Sequence, residues 1–296
     1  MAEKVERHLE VGREARCEQL VAEAVKPAGF SRADVRRWFA AGDVLVERDG
    51  RRHRAKKGDR VAPGDMVQWS QPAVLIVPEP DAPLRVSRET EAWVIVDKPA
   101  GQACAPVAAG ETGTLAQALL GHYPEMAGVG YGLREPGLVH RLDNDTSGLV
   151  WAARSEQAFV RARAALARGE VDKRYLLVCG GELDDEGSIE AAVRTEGPTV
   201  RVDETGRPAT TGYRVLRRMG DRCLVEASAS PAVRHQVRVH FAHVGAPLLG
   251  DLRYGGRAGP PRHALHASRI AWTGDAEVAG FEVESELPDD LSALLV

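Results

Sequence analysis

Apolar positions in RCEQLVAEAVK (residues 16–26) recur at the three-to-four spacing of a helix that buries one face. A second helix is expected directly afterwards, with Ser31 as N-cap, Asp34 three residues on, and Val35, Trp38 and Phe39 at i, i+3 and i+4, ending near Gly42. The period then shortens. DVLVERDGRR (43–52) reads as a short strand and a tight turn, and GDMVQW (64–69) as another strand. Near residues 70 to 88, in SQPAVLIVPEPDAPLRVS, four prolines interrupt any regular period, which marks a linker.

Beyond the linker the chain turns into many short strand-like runs: WVIV (93–96), LVWAA (149–153), RYLLVC (174–179), TGYRVL (211–216), CLVEAS (223–228), ASRIAW (267–272) and GFEVES (280–285). Helical spacing returns in TLAQALLGHY, in SEQAFVRARAALAR with Ser155 as N-cap, and in RHQVRVHFAHVG with Gly245 as the stop. Strands outnumber helices and do not alternate with them, so the expected class is α+β around a large mixed or antiparallel sheet, not a doubly wound fold. The expected organisation is a small domain over 14–70, a linker over 71–88 and a large domain over 89–296.

Composition narrows this picture. The 296 residues suffice for one large domain and a small one. Hydrophobic content is 44% with 28% charged residues, and no apolar run approaches the ~18 residues of a membrane span. The amino terminus, MAEKVERHLEVGREAR, has no apolar central region of a signal peptide, so a cytoplasmic location without membrane association is expected. Cys17, Cys104, Cys179 and Cys223 form no C-x-x-C pair and suggest neither disulfides nor zinc. A net charge of −4 argues against nucleic acid, but its distribution argues otherwise: residues 48–60 carry seven Arg or Lys against two Asp.

Several chemistries lack their residues. TSG at 146–148 misses the first glycine of a nucleophile elbow, and neither a Walker A loop nor a strand-linked G-x-G-x-x-G is present. His235, His240 and His243 do not form the matched i, i+4 pair with a carboxylate or thiolate that zinc usually recruits. What stands out is LVHRLDNDTSGLVWAARS (138–155), where Asp143 sits between apolar runs ahead of a small-residue turn. A turn-forming aspartate at a strand end is the plain alternative.

Two resemblances change the weights. FSRADVRRWFAAGDVLVERDGRRHRAKKGDRVAPGDMV resembles the alpha-L RNA-binding motif, with Asp49-Gly50 where Asn-Gly is usual. The likeness implies phosphate contacts from Arg32, Arg36, Arg37, Arg51, Arg52, Arg54, Lys56 and Lys57. Residues 90–296 resemble the RluA-type pseudouridine synthase family. The motif H-R-L-D-x-x-T-S-G stands as His140 to Gly148, accompanied in the family's order by VDKPAGQ (96–102), KRYLLV (173–178), RHQVRVHFAHVGAPLLGDLRYG (234–255) and LHAS (265–268).

This second resemblance implies the pseudouridine synthase fold and an isomerase that turns uridine in RNA into pseudouridine with no cofactor and no metal. It implies Asp143 as the catalytic carboxylate, ordinarily ionised at neutral pH and able to act as nucleophile without an activating base. Arg238 is implied as its ion partner, and Tyr175 as the residue that stacks on the flipped base and assists proton removal. Leu265, Arg141 and His140 are implied in the substrate pocket, Leu265 as an apolar wall and Arg141 as filler of the vacated stack or phosphate contact. The chain departs from the family at Ala232-Val233, where Gly-Arg is usual, and at Ala105, where a His usually precedes the proline. Neither change touches Asp143, Tyr175 or Arg238. The expected partner is RNA, ribosomal RNA of the large subunit first and tRNA second, bound by a monomer. A non-catalytic RNA-binding or ribosome-assembly factor is the competing class.

Overall fold

Asp49 and Gly50, with φ of 51° and 71°, make the two-residue turn of a hairpin whose twist demands positive φ at both positions. In the computed structural model, which describes all residues except 1–3, 27–29, 31, 73–75, 108–110, 132–133, 198 and 230–231, this hairpin belongs to the first of two compact units. That unit comprises Met1–Ala82 with Ala105–Gly137, and the second Pro83–Cys104 with Leu138–Val296. The N-cap expected at Ser31 lies outside the described residues.

The first unit runs β1 (Lys4–Glu10), β2 (Ala15–Arg16), α1 (Cys17–Val25), α2 (Arg32–Ala41), β3 (Val44–Arg48), β4 (Arg51–Arg54), β5 (Arg60–Val61) and β6 (Met66–Pro72). Its antiparallel sheet has the order β1-β6-β3-β4, which leaves β4 at an edge. The helical stripes read from the sequence bury Cys17, Leu20, Val21, Val35 and Trp38 against Val44, Val46, Val67 and Trp69. Asp34 is buried in an ion pair with Arg37 and with Arg134, the latter at 2.5 Å. Arg134 lies in the second segment of this unit, which also holds α3 (Leu115–His122) behind a Thr114/Gln117 capping box. Glu79 ties that segment further, its N–H donating to Gln117 O and its carboxylate accepting from Gly113 N, both at 3.0 Å.

The second unit holds β7 (Val86–Glu89), β8 (Trp93–Lys98), β9 (Ser147–Ala153), α4 (Glu156–Arg168), β10 (Val171–Gly180), β11 (Glu186–Glu190), β12 (Val193–Glu196), β13 (Thr199–Val202), β14 (Thr210–Met219), β15 (Arg222–Ser228), α5 (Gln236–His243), β16 (Leu265–Gly274), β17 (Ala279–Glu284) and α6 (Asp289–Ser292). Nine strands form one mixed sheet in the order β11-β14-β15-β10-β16-β9-β8-β7, with β17 also on β16. All its pairings are antiparallel except β9 with β16, which run parallel where His266 faces Ser147 and Ala267 faces Gly148. Gly148, at φ 112°, is required there, since a Cβ would meet the Ala267 carbonyl oxygen at 2.3 Å. The α+β class with a large mixed sheet is therefore present. The prolines of the expected linker, residues 71–88, are flanked by strand at both ends: β6 reaches Pro72, and β7 begins at Val86.

Candidate active site

The loop from β8 to β9 ends in the tight turn Asp143 to Thr146, closed by Thr146 N donating to Asp143 O at 3.1 Å. Long-range groups hold this turn residue by residue. The thiol of Cys104 lies 3.3 Å from Leu142 N and 3.4 Å from Leu142 O. Lys98 Nζ donates to the carbonyls of Asn144 (2.9 Å), Pro99 (2.8 Å) and Gln102 (2.8 Å). Arg262 donates to Asp145 O at 3.0 Å and to Ser147 Oγ at 3.1 Å, while its other edge grips Asp290. His263 Nε2 is 2.7 Å from Thr146 Oγ1, and His266 Nδ1 is 2.9 Å from Ser147 Oγ. Burial lowers the Lys98 ammonium to about 8, and burial with the neighbouring Arg238 charge lowers His263 to about 4, so this histidine is neutral at pH 7. The turn is thus fixed before any substrate arrives.

Arg238 stands in the first turn of α5 and bridges two carboxylates. Its Nε and Nη2 donate to Asp251 at 2.7 and 2.8 Å, and its Nη1 donates to Asp143 Oδ2 at 2.7 Å. The Asp251 side chain is 1% exposed and that of Asp143 24%, so Asp251 is the buried counter-ion and Asp143 the group that faces outward. Burial opposes the Arg238 charge, but the hydrogen bonds to both aspartates outweigh it and raise its pKa. Gly250, at φ 74°, brings Asp251 under the helix where a Cβ would strike the Arg262 carbonyl oxygen at 2.0 Å. Gln236 locks the helix start, accepting from Val233 N at 2.9 Å and donating to Thr210 O at 2.9 Å.

His235, in the left-handed region at φ 55°, caps α5 and turns its ring toward the same carboxylate. Its Nε2 is 3.5 Å from Asp143 Oδ1 and its Nδ1 is 2.7 Å from the Tyr254 hydroxyl. Burial lowers His235 to about 4, overriding the pull of Asp143, so it is neutral at pH 7. The Arg238 guanidinium also lies 5.1 Å from the centroid of the Tyr254 ring. Tyr175, Leu265 and Val237 pack in one apolar cluster with Leu142 against it, beside the carboxylate. Burial, and then the Asp143 charge, push the Tyr175 phenol up to about 12.

Asp143, Tyr175, Arg238 and Leu265 are therefore close together. Arg141 is exposed, one residue before Leu142. His140 has a different employment: its Nε2 accepts from Trp151 N at 3.2 Å, and burial with the charges of Lys173 and Arg163 lowers it to about 3. All eight basic residues expected to contact RNA are exposed. Among them Arg37 pairs with Asp34, and Arg52 with Glu47 at 3.0 Å. Sequence reasoning did not assign roles to Asp251, His235, Tyr254, Lys98, Arg262 or His263. The quoted runs around 96–102 and 234–255 contained four of them, but nothing local reveals that Lys98 reaches Asn144 or that His235 faces Asp143.

Comparison with known proteins places the chain in a family. The family model described as RNA pseudouridylate synthase matches residues 92–243. An uncharacterized RNA pseudouridine synthase of Bacillus subtilis, YlyB, is 31% identical over 280 residues, covering 90% of this chain and 89% of its own length. The ribosomal large subunit pseudouridine synthase D of Escherichia coli is 30% identical over 290 residues, covering 90% of this chain and 86% of its own. Among solved structures, human RNA pseudouridylate synthase domain containing 1 superposes with a TM-score of 0.56 at 22% identity, over 74% of this chain and 96% of its own, a likeness of fold.

Proposed function

The chain belongs to the RNA pseudouridylate synthase family and is an isomerase acting on RNA; on that footing we propose that Asp143 is its catalytic nucleophile, acting on a uridine flipped out of large-subunit ribosomal RNA. The observation that carries this reading is the Arg238 bridge, which holds Oδ2 of the partly exposed Asp143 carboxylate and leaves Oδ1 facing the neutral His235 ring at 3.5 Å. In the reaction the bond from C1′ to N1 of uracil breaks and one from C1′ to C5 forms. The proton on C5 leaves and N1 gains one, so the product is an isomer and no co-reactant is consumed. Arg238 steadies the carboxylate throughout, and Asp251 keeps Arg238 from collapsing onto it.

Tyr175 offers an aromatic surface against which uracil stacks. Its phenol, held protonated by burial, is a poor acceptor for the C5 proton, so the assistance in proton removal expected of it does not run through a phenolate. Arg141, exposed beside the cleft, is placed by this reading in the vacated base stack. The exposed basic residues of the first unit hold RNA phosphates in the manner of an alpha-L module. Ribosomal RNA is favoured as substrate by the names of the relatives, including that of E. coli.

The test compares two neighbouring carboxylates. Asp143→Asn is expected to abolish tritium release from C5-labelled uridine in RNA while leaving RNA affinity nearly unchanged, and Asp145→Asn to retain substantial turnover. An active Asp143→Asn enzyme would sink the assignment, and pseudouridine mapping in cells with and without the protein identifies the RNA.

A further inference from the structure

Lys173 is a buried cation that the reaction described above does not use. It lies on β10 two residues before Tyr175, so the two side chains leave the strand on the same face, about 7 Å apart along it. The residue is 7% exposed, and among the described residues nothing accepts a hydrogen bond from its ammonium. The charged group that acts on it most is another cation, Arg163 of α4. Arg163 Nη1 donates to Val139 O at 2.9 Å, which holds it beside the segment that leads into His140. The charges of Lys173 and Arg163 both fall on His140, which is neutral and whose Nε2 is taken by Trp151 N. The ammonium of Lys173 thus lies among a second cation and a neutral imidazole, whereas Arg238, another buried cation, has two carboxylates.

Burying an ammonium without an anion is costly, and a methionine of similar length would fill the same space without that cost. Burial and the Arg163 charge lower Lys173 to about 8, as expected of a cation whose anion is not yet present, and it is still largely charged at pH 7. We propose that Lys173, with Arg163 beside it, forms an anion subsite that takes an RNA backbone phosphate next to the uridine stacked on Tyr175. The proposal rests on the reaction proposed above. The distance along β10 is on the scale of a base and its own phosphate, so one nucleotide engages the ring and the ammonium together. Holding base and phosphate at two fixed points also orients the sugar between them toward Asp143.

The experiment uses the full chain and an RNA fragment that it isomerises, with single neutral methylphosphonate linkages placed in turn at each position around the target uridine. In the wild type one linkage beside the uridine is expected to raise KM about tenfold, the loss of one charge-assisted hydrogen bond. Lys173→Met is expected to raise KM equally on unmodified RNA and to be indifferent to that linkage, while Lys173→Arg restores most of the loss. Inorganic phosphate should compete with RNA for the wild type and not for Lys173→Met, which separates a phosphate site from a general loss of fit. Equal penalties for every linkage in wild type and Lys173→Met overturn the proposal. If Lys173→Met does not fold, as judged by its melting curve, Lys173→Gln replaces it, and a wild type insensitive to all linkages beside the uridine overturns the proposal without any variant. A wild type that isomerises no uridine in any RNA overturns the reaction instead, and the linkage comparison is then read from RNA affinity.

Discussion

Around Asp143 the cations Lys98, Arg238 and Arg262 are buried and hold the turn at its backbone and its carboxylate, whereas β4 in the other unit displays Arg51, Arg52, His53 and Arg54 on the surface. The first arrangement is stiff, with a carboxylate aimed by Arg238 and a backbone pinned by Lys98, Arg262 and Cys104. The second is a charged edge strand, which resists sheet extension and leaves long side chains able to reorganise. The contrast matches two different demands. A reacting oxygen must be held to a fraction of an ångström before the substrate arrives, while phosphates can be held by groups that adapt.

The sharpest way to break this contrast is Arg238→Met. It strips one charge from between two carboxylates and leaves Asp251 buried without a partner, at a cost of about 3–5 kcal/mol. Turnover should fall by roughly 100- to 1000-fold, a comparable share of the barrier, while RNA affinity stays close to that of the wild type. Single-turnover kinetics with a melting curve reads both quantities. Loss of affinity with turnover intact would show that Arg238 belongs to the grip and not to the chemistry.

A smaller effect is expected at Lys98, which supports the turn and touches no substrate in this account. Lys98→Met takes the shared donor from the carbonyls of Pro99, Gln102 and Asn144 and should destabilise the fold by about 2 kcal/mol, with turnover reduced through a loosened Asp143. The pH dependence is a second signature. Folding lowers this lysine to about 8, while in the unfolded chain it holds its proton to about 10.4. At this residue the unfolded chain therefore binds more protons between these values, so Lys98 contributes a rise in stability with pH across that window, its penalty being fully present below pH 8. Lys173, also lowered to about 8, contributes a rise of the same sign, while Cys17 and Cys179, each pushed up by burial to about 12, contribute a fall above the ordinary thiol value, so Lys98→Met should remove one of two rising contributions and make the slope less positive. Urea denaturation from pH 7 to 10 measures it, and an unaltered slope would show that the Lys98 ammonium is not a source of the rise.

The motif residues of the site were readable in the sequence because they are close in the chain to recognisable neighbours: Asp143 within His140 to Gly148, Tyr175 within KRYLLV, Arg238 within RHQVRV. The supports of that site were not, because Arg262 reaches Asp145 and His263 reaches Thr146 across 117 residues. No period or spacing encodes such a contact. The α+β class followed from the run of short strands, yet β1 was missed: KVERHLE places only Val5 and Leu9 even half inside, too weak an alternation to register. The pairing of the 105–137 segment with the amino-terminal unit depends on Asp34 and Arg134, one hundred residues apart, and was equally invisible. That pairing changes how the unit should be tested, since removing residues 1 to 85 would orphan Arg134 and confound affinity with folding. Point changes on the surface are cleaner.

The smallest effect on chemistry is therefore expected on β4. Replacing Arg51, Arg52 and Arg54 by Gln removes three exposed charges from an edge strand whose backbone pairs only with β3 among the described residues. Each phosphate contact contributes roughly 0.7–0.9 to the magnitude of the logarithmic salt slope, so the triple variant should flatten that slope by about 2 and weaken binding most at low salt. The single-turnover rate at saturating RNA should stay at the wild-type value. Arg48 supplies the control from the same basic run. It is committed to Asp65 by hydrogen bonds of 2.8 and 2.5 Å, with the Asp65 side chain 5% exposed. Arg48→Gln should thus lower the melting temperature and leave the salt slope alone. If the triple variant keeps its slope while Arg48→Gln loses it, the exposed edge is a solvated surface and the contrast between a rigid centre and an adaptable grip fails at its second half.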